Sequence, residues 1–407
     1  MPIEVRPGRS DEFTAFAKAV GDAFGGEDET PEEIASWQAR LGDRFFVAAE
    51  GASIVGGAAD FPFRLSVPGG EVAAAGVTGV GVLPTHRRQG ILTALMRHQL
   101  DAIAARGEPV GILWASEGGI YQRFGYGLAV LNGSFELPRA RSAFRLPLVP
   151  QGRVRLIERA EAERRLPPLF ERWRPTIPGA WARSAAWWKE ILDDPVNRRR
   201  GDGPKFFALH EDGRGRPDAY AIYRIHPDWG ASGPKNTLRV LEPIALGPAA
   251  TRELWRYLCD VDLVGTIAGR FGPVDHPLLH LLAEPAALGL TISDGLWLRL
   301  VDVVRALEAR GYGSAERIVL EVADTFRPGQ AGRYAIDATG DRPAVTRTRA
   351  RADLALEAAD LAAIYLGGVG PVQLAAVGRV TERTPGAIVR AGRMFRSQIP
   401  LWSPTVF

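Results

Sequence analysis

With 407 residues, 46% of them hydrophobic, the chain is long enough for roughly two to four domains that each bury a core. Its 50 Lys and Arg against 47 Asp and Glu leave a net charge of +3, and no basic stripe with interleaved aromatics occurs, which excludes a dedicated nucleic-acid binder. No apolar run reaches the roughly 18 residues of a membrane span, residues 1–7 lack the apolar core of a secretory signal, and the single Cys259 excludes an intramolecular disulfide, so a reducing, cytoplasmic setting is expected.

In chain order, residues 3–6 read as a short strand and 11–23 as a helix. A loop at 25–33 follows and turns into a second helix through Trp37. Strands are expected near 44–50, 53–64 and 72–83. The last of these is a β-branched run that ends at Pro84 and gives way to a basic turn containing Gly90. Ile91, Leu92, Leu95, Met96 and Ile103 then recur at helical spacing, which predicts a helix over 88–106. A strand over 110–114, a short helix carrying Tyr121 and a strand over 128–137 complete a βααβββαβαβ order.

The junction at 77–96 is the most informative stretch. A strand feeding a helix through a basic, glycine-containing turn is built to hold an anion, because the first-turn N–H groups have no partners and the dipole there is positive. Gly90 brings no Cβ to the turn, while Arg87 and Arg88 add charge. No Gly-x-x-x-x-Gly-Lys-Ser/Thr loop occurs, and the spaced glycines of a dinucleotide fingerprint are missing. The run Val80-Gly81-Val82-Leu83-Pro84-Thr85-His86-Arg87-Arg88-Gln89-Gly90-Ile91-Leu92 resembles the acetyl-CoA motif of the GNAT superfamily of N-acetyltransferases. That resemblance implies acetyl-CoA as cosubstrate, with Val80, Gly81 and Val82 on its acyl arm and Arg88, Gln89, Gly90, Ile91, Leu92 and Thr93 on its phosphates. Leu92 stands where the family usually has Gly or Ala.

Tyr121-Gln122-Arg123-Phe124-Gly125-Tyr126 matches a second motif of the same superfamily, Tyr-x-x-x-Gly-Phe/Tyr. The resemblance implies that Tyr121 protonates the departing CoA thiolate, a role open to a phenol whose pKa of about 10 keeps it protonated at neutral pH. A half-buried helix tyrosine, with Tyr126 or nothing as the acid, is the alternative. Ser116 and Glu117, at the preceding strand end, are further candidates for cofactor contact.

Leu137-Pro138 and Leu146-Pro147-Leu148-Val149-Pro150 punctuate the chain, and the pattern then partly repeats. Helices are expected over 160–173 and 185–192, strands over 205–210 and 219–226, and a strand–turn–helix–strand over 237–268. Gly247-Pro248-Ala249-Ala250 replaces the basic turn there, so this second acetyltransferase-like fold is read as having lost its CoA site. Cys259 falls within the apolar helix pattern and reads as core. His276-x-x-x-His280 lacks the glutamate of a helical zinc pair and is followed at once by Pro277, so no metal is expected. A third region starts near 296, with a helix over 301–309, strands at 317–323, 333–338 and 344–348, and helical segments at 371–377 and 387–395.

Ala115-Ser116-Glu117-Gly118-Gly119-Ile120-Tyr121, together with the length and the ending, is similar to the Eis (enhanced intracellular survival) group of acetyltransferases. That group implies α/β architecture with mixed sheets: tandem GNAT folds followed by a sterol-carrier-like α+β domain. The corresponding divisions are 1–137, with the acetyl-CoA site, a degenerate 138–293, and 294–407, which closes the substrate cleft. It implies N-acetylation of aminoglycosides, polyamines or lysine side chains, with no nucleic acid or membrane partner, and a homohexamer. It also implies that the carboxylate of the last residue, here Phe407, is the general base. The tail from Leu401 to Phe407 is largely apolar and aromatic, as a docked terminus would be, although docking for packing alone is the alternative. For the amine, Asp22, Phe24, Glu27, Asp28 and Trp37 offer carboxylates and aromatic faces. From a different class, a non-catalytic acyl-CoA sensor or lipid-binding protein would also carry the cofactor motif.

Overall fold

The structure, a computed structural model, describes residues 3–26, 29–230 and 233–407. They divide into two units: 1–130 with 294–398 and 406–407, and 131–293 with 399–405.

The first unit is built on a seven-stranded sheet in the order Glu4–Pro7, Phe45–Glu50, Ser53–Val67, Gly70–Val82, Val110–Trp114, Leu296–Leu300, Gly127–Leu128. Neighbours are antiparallel except Gly70–Val82 and Val110–Trp114, which run parallel and are joined by the helix Ile91–Ala105. Ile91 and Leu95 of that helix pack with Phe46, Ala48, Val55 and Ala58. Phe16, from the helix Phe13–Phe24, lies against Gly57, the neighbour of Ala58 and so on the other face of the sheet. The next helix, Pro31–Leu41, starts on a sequence-legible cap: Thr30 and Glu33 exchange side-chain-to-backbone bonds, and Pro31 fills the first helical position.

Two features of the long strand Gly70–Val82 matter later. Its pairing with Ser53–Val67 slips between Gly57–Gly81 and Ala59–Thr78, so Gly79 and Val80 together oppose Ala58. Gly79 takes up this bulge with a φ of +57°. On the opposite edge, parallel pairing runs from Ala74–Val110 to Val77–Leu113 and stops there.

The strand expected over 128–137 is divided between sheets. Gly127–Leu128 stays in the first sheet, whereas Leu131–Pro138 pairs with Val264–Gly272 in the second. Reciprocally, Leu296–Leu300, expected to open the third region, pairs with Val110–Trp114 in the first sheet. The second sheet therefore takes a strand read as the end of the first region and the first sheet one read as the start of the third, a rearrangement that hydrophobic periodicity cannot register. The helix expected from 88 begins at Ile91, because Arg88 and Gly90 are left-handed, at φ +63° and +82°, and turn the chain before the helix starts.

The remainder of the first unit is a five-stranded sheet, in the order Ala344–Arg347, Gly332–Asp337, Arg317–Ala323, Leu354–Glu357, Val380–Glu382. Its helix Ala358–Ile364 lies directly on Gly127, where a Cβ would fall 1.9 Å from the Ala359 carbonyl oxygen. Below Gly125, Arg299 and Asp324 form a fully buried ion pair.

The second unit repeats the plan. Its sheet runs Thr291–Asp294, Leu131–Pro138, Val264–Gly272, Asn236–Ala245, Pro217–His226, Phe206–Glu211, Arg153–Ile157. Asn236–Ala245 and Val264–Gly272 form its parallel pair, joined by the helix Pro248–Asp260, and their pairing ends at Val240–Gly269. Cys259 is buried in this core beside Leu254, Leu258 and Ile267, and burial pushes its thiol up to about 11, which suits the core role read from the sequence.

Because Gly127 meets backbone rather than a movable side chain, Gly127→Ala is expected to cost about 3 kcal/mol or more. Gly119→Ala, which points into open space, should leave the melting temperature unchanged. Thermal unfolding of the two variants checks this.

Candidate active site

Beyond Val77 and Leu113 the parallel strands part. Gly70–Val82 runs on past its strand partner, so that residues 78–81 have no neighbouring strand along that edge and a ligand backbone or amide arm can pair there. The opening is a cavity of about 520 Å³. It is lined by Val80, Gly81 and Val82 from the strand, Arg88, Gly90, Ile91, Leu92 and Thr93 from the turn and helix start, and Ser116, Glu117 and Tyr121 from beyond the second strand. Of the cofactor residues expected from sequence, Gln89 alone is absent from this lining, being exposed in the turn.

One end of the cavity is shaped for an anion. The first intrahelical bond runs from Ala94 N–H to the Gly90 carbonyl at 3.1 Å, leaving the N–H groups of Ile91, Leu92 and Thr93 without intrahelical partners. They sit at the positive end of a helix of 15 residues. The Arg88 side chain adds charge from the left-handed turn, while Arg87 braces the loop: its guanidinium donates to the Ala23 carbonyl at 2.9 Å and the Val82 carbonyl at 3.2 Å. Arg123 and His86 also line the cavity. Neither was singled out from sequence, although Arg123 lies inside the tyrosine motif, two residues past Tyr121, and could have been found there. Open edge amides, unpaired helix N–H groups and the arginines Arg87, Arg88 and Arg123 fit a pantetheine arm ending in a pyrophosphate, the form of acetyl-CoA.

Tyr121 closes the short helix Gly118–Tyr121 and is buried, packed in one cluster with Ala75, Val77, Leu113 and Tyr126. Burial, with a smaller contribution from the Glu117 carboxylate, pushes its phenol up to about 12. Tyr126, the alternative acid, is fully buried, is absent from the cavity lining and has its hydroxyl without a hydrogen-bond partner.

The last residue reaches the same place from the other side. The Phe407 ring packs edge-on against Phe63, with centroids 4.9 Å apart, and lies over Gly76, where a Cβ would sit 3.1 Å from it. Gly76 immediately precedes Val77, the last paired residue before the strands part. Successive residues of a strand face opposite sides, so Tyr121, clustered with Ala75 and Val77, and Phe407, over Gly76, flank the parting from opposite faces.

The residues expected to hold the amine do not converge in this way. Phe24 is exposed and lines the cofactor cavity. Trp37 packs edge-on against Phe13 at 5.5 Å and tilted against Phe16 at 5.3 Å, and backs the bulge at Gly79. Asp22 lies at the exposed end of its helix, 3.2 Å from the Lys18 ammonium. Glu27 and Asp28 lie outside the described residues.

In the second unit the equivalent turn has Gly247 in extended conformation and Pro248 at the first helical position. Among the described residues, no group of three or more His, Cys, Asp and Glu is placed to hold a metal ion. His276 is buried between Phe135 and Trp255, where burial lowers its pKa to about 4. No helix of the described residues is long and apolar enough to cross a membrane.

Comparison with known proteins agrees with this geometry. An acetyltransferase (GNAT) domain family matches residues 4–129, a second GNAT domain family matches 179–300, and a sterol carrier protein domain family matches 303–403. An uncharacterized N-acetyltransferase of Streptomyces avermitilis is 41% identical over the full length of both chains. The N-acetyltransferase Eis of Mycobacterium tuberculosis is 35% identical over 87% of this chain and 86% of its own. The crystal structure of Eis1 from Mycobacterium abscessus superposes over the whole of both chains with a TM-score of 0.86 at 34% identity. An acyltransferase, rather than a non-catalytic acyl-CoA sensor, is what these relatives have in common with the parted strands and the anion-binding turn. The chain belongs to the Eis family of GNAT N-acetyltransferases, built from two GNAT domains and a sterol-carrier-type domain.

Proposed function

We propose that this N-acetyltransferase moves the acetyl group of acetyl-CoA to a primary amine by direct attack on the thioester, with Tyr121 as the acid and the Phe407 carboxylate as the base. The observation that carries this reading is the placement of Tyr121 and Phe407 on opposite faces of the strand parting. The open N–H edge of residues 78–82 polarises the acyl carbonyl as negative charge develops on its oxygen. The amine loses its proton to the terminal carboxylate, directly or through a water. A free α-carboxyl, of pKa roughly 3.5, is ionised at neutral pH and suited to orienting an ammonium. As the carbon–sulfur bond breaks, the Tyr121 hydroxyl gives its proton to the leaving thiolate. Burial favours the neutral phenol, so it remains an acid throughout the neutral and mildly alkaline range.

Aminoglycosides, polyamines and lysine side chains are the acceptors this reading carries from the family, several positions of one acceptor being modified in turn. Family membership also carries a homohexamer and a cytoplasmic setting, and light scattering on the purified chain tests the first.

Tyr121→Phe keeps the ring and removes the proton, and is expected to lower kcat about 100-fold with KM for acetyl-CoA unchanged. Residues appended after Phe407 should lower kcat comparably, and full activity with a long extension would remove the carboxylate from the mechanism. Arg88→Ala should raise KM for acetyl-CoA about ten-fold while leaving kcat near wild type.

The pH profile follows from the raised phenol. With Tyr121 near 12 rather than 10, its protonated fraction is still close to complete at about pH 10. Activity is expected to climb as the amine deprotonates, with no descending limb below about pH 10. Initial rates of CoA release across that range check it.

A further inference from the structure

The second unit has no arginine in the turn Gly247-Pro248-Ala249-Ala250, yet its sheet has the same kind of opening as the first. Its parallel strands part after Val240 and Gly269, as those of the first unit part after Val77 and Leu113. In both sheets a bulge accompanies the parting: Leu241 is the extra residue between Ile222–Glu242 and Tyr223–Val240. The gap holds a mainly apolar cavity of about 280 Å³, lined by Val240, Pro243 and Trp255, with Arg270 and Asp275 as its charged residues, and, from the end of the chain, by Pro400 and Trp402. Trp402 packs edge-on against Trp173 at 5.2 Å, its backbone N–H donates to the Pro178 carbonyl at 3.1 Å, and its indole N–H donates to the carbonyl of Phe271, past the last paired residue Gly269.

Three residues further on, a buried polar group takes hold of the chain again. Arg183 donates to Glu242 through both terminal nitrogens and, through one of them, to the Thr405 hydroxyl oxygen. Tyr220 donates its hydroxyl to Glu242 at 2.5 Å. The guanidinium lies over Phe170 at 3.8 Å and Trp188 at 4.9 Å. The bulge at Leu241 leaves Glu242 and Val240 paired to adjacent residues of the neighbouring strand, and Glu242 is buried within the unit. A buried Arg–Glu pair of this kind contributes little net stability, since desolvation offsets the attraction. What it supplies is direction, and the residue it grips stands two places before the chain's terminal carboxylate.

We infer that the second unit is a holder for the C-terminal tail, in which Trp402, seated in the vacated cofactor gap, and Thr405, gripped by Arg183, are positioning residues for the Phe407 carboxylate. The inference rests on the reading of that carboxylate as the base. It gives the degenerate domain a task in the reaction: to limit the positions open to a group borne on a chain end that would otherwise fray.

The test uses the full chain with an untagged C-terminus and the variants Thr405→Val, Thr405→Ser and Trp402→Phe. Thr405→Val keeps the shape and removes the acceptor oxygen, Thr405→Ser restores it, and melting temperatures show whether each variant is folded. Two readouts are taken: the rate at which carboxypeptidase Y releases Phe407, followed by mass spectrometry, and kcat and KM for acetyl-CoA with kanamycin as the amine. Thr405→Val is expected to release Phe407 about ten-fold faster and to lose about ten-fold in kcat at unchanged KM for acetyl-CoA, with Thr405→Ser near wild type. Release unchanged in both Thr405→Val and Trp402→Phe would overturn the holder, whatever happens to kcat. Faster release at unchanged kcat would leave the anchor standing and overturn the positioning role, whereas full activity with residues appended after Phe407 would remove the base itself.

Discussion

Everything functional in this molecule depends on where two parallel strands stop pairing. A parallel pair buried between layers would ordinarily continue its ladder, because unpaired backbone groups cost free energy wherever water cannot reach them. Here the ladder ends at Val77 and Leu113, beside a bulge taken up by the left-handed Gly79. The lost hydrogen bonds become the binding edge. The same parting determines where the helix Ile91–Ala105 points its unpaired N–H groups, which residues Tyr121 packs beside and which residue of the strand lies under Phe407. A continuous ladder would leave no cleft for a cosubstrate between the strands.

The cofactor side was legible in the sequence because its chemistry is local. A strand, a basic turn and a helix start are contiguous, so the resemblance to the GNAT motif could name Val80, Gly81, Val82, Arg88, Gly90, Ile91, Leu92 and Thr93, which line one cavity. Ser116, Glu117 and Tyr121 could be read as well, since they follow the next strand of the same sheet. The acceptor side was not local. Asp22, Phe24 and Trp37 lie close in sequence, but helical geometry sends one to solvent, one to the cofactor cavity and one into an aromatic cluster. Composition suggested a carboxylate-and-aromatic patch, and which way each side chain points was decided by tertiary packing.

The architecture shows the same limit. Most strands and helices were expected within a few residues of where they lie. The misread junctions are those where the chain changes sheet. Leu131–Pro138 and Leu296–Leu300 look like any half-buried strand, and a periodicity of two residues does not say which sheet a strand will join. Close approach leaves a better trace than pattern does: Gly125 and Gly127, each adjacent to a buried partner from the 294–398 stretch, are glycines because Arg299 and the helix Ala358–Ile364 occupy the space a Cβ would need.

The two parted strand pairs make a natural comparison of what a fold carries and what a turn adds. Both have a bulge, a parting and a connecting helix. In the first, Arg88 and Gly90 in left-handed conformation bring cations and free N–H groups to the opening, and the cavity can take a charged cosubstrate. In the second, Gly247 and Pro248 bring neither charge nor, at the proline, an N–H to offer, and the opening is lined mainly by apolar groups, with the Trp402 indole among them and Arg270 and Asp275 the charged residues of the lining. Losing a few residues of turn chemistry therefore need not empty a scaffold of purpose. It changes which ligand the scaffold prefers, and under the proposed mechanism, with the Phe407 carboxylate as base, a receptor for the aromatic tail is as much a part of catalysis as the site where the cosubstrate binds.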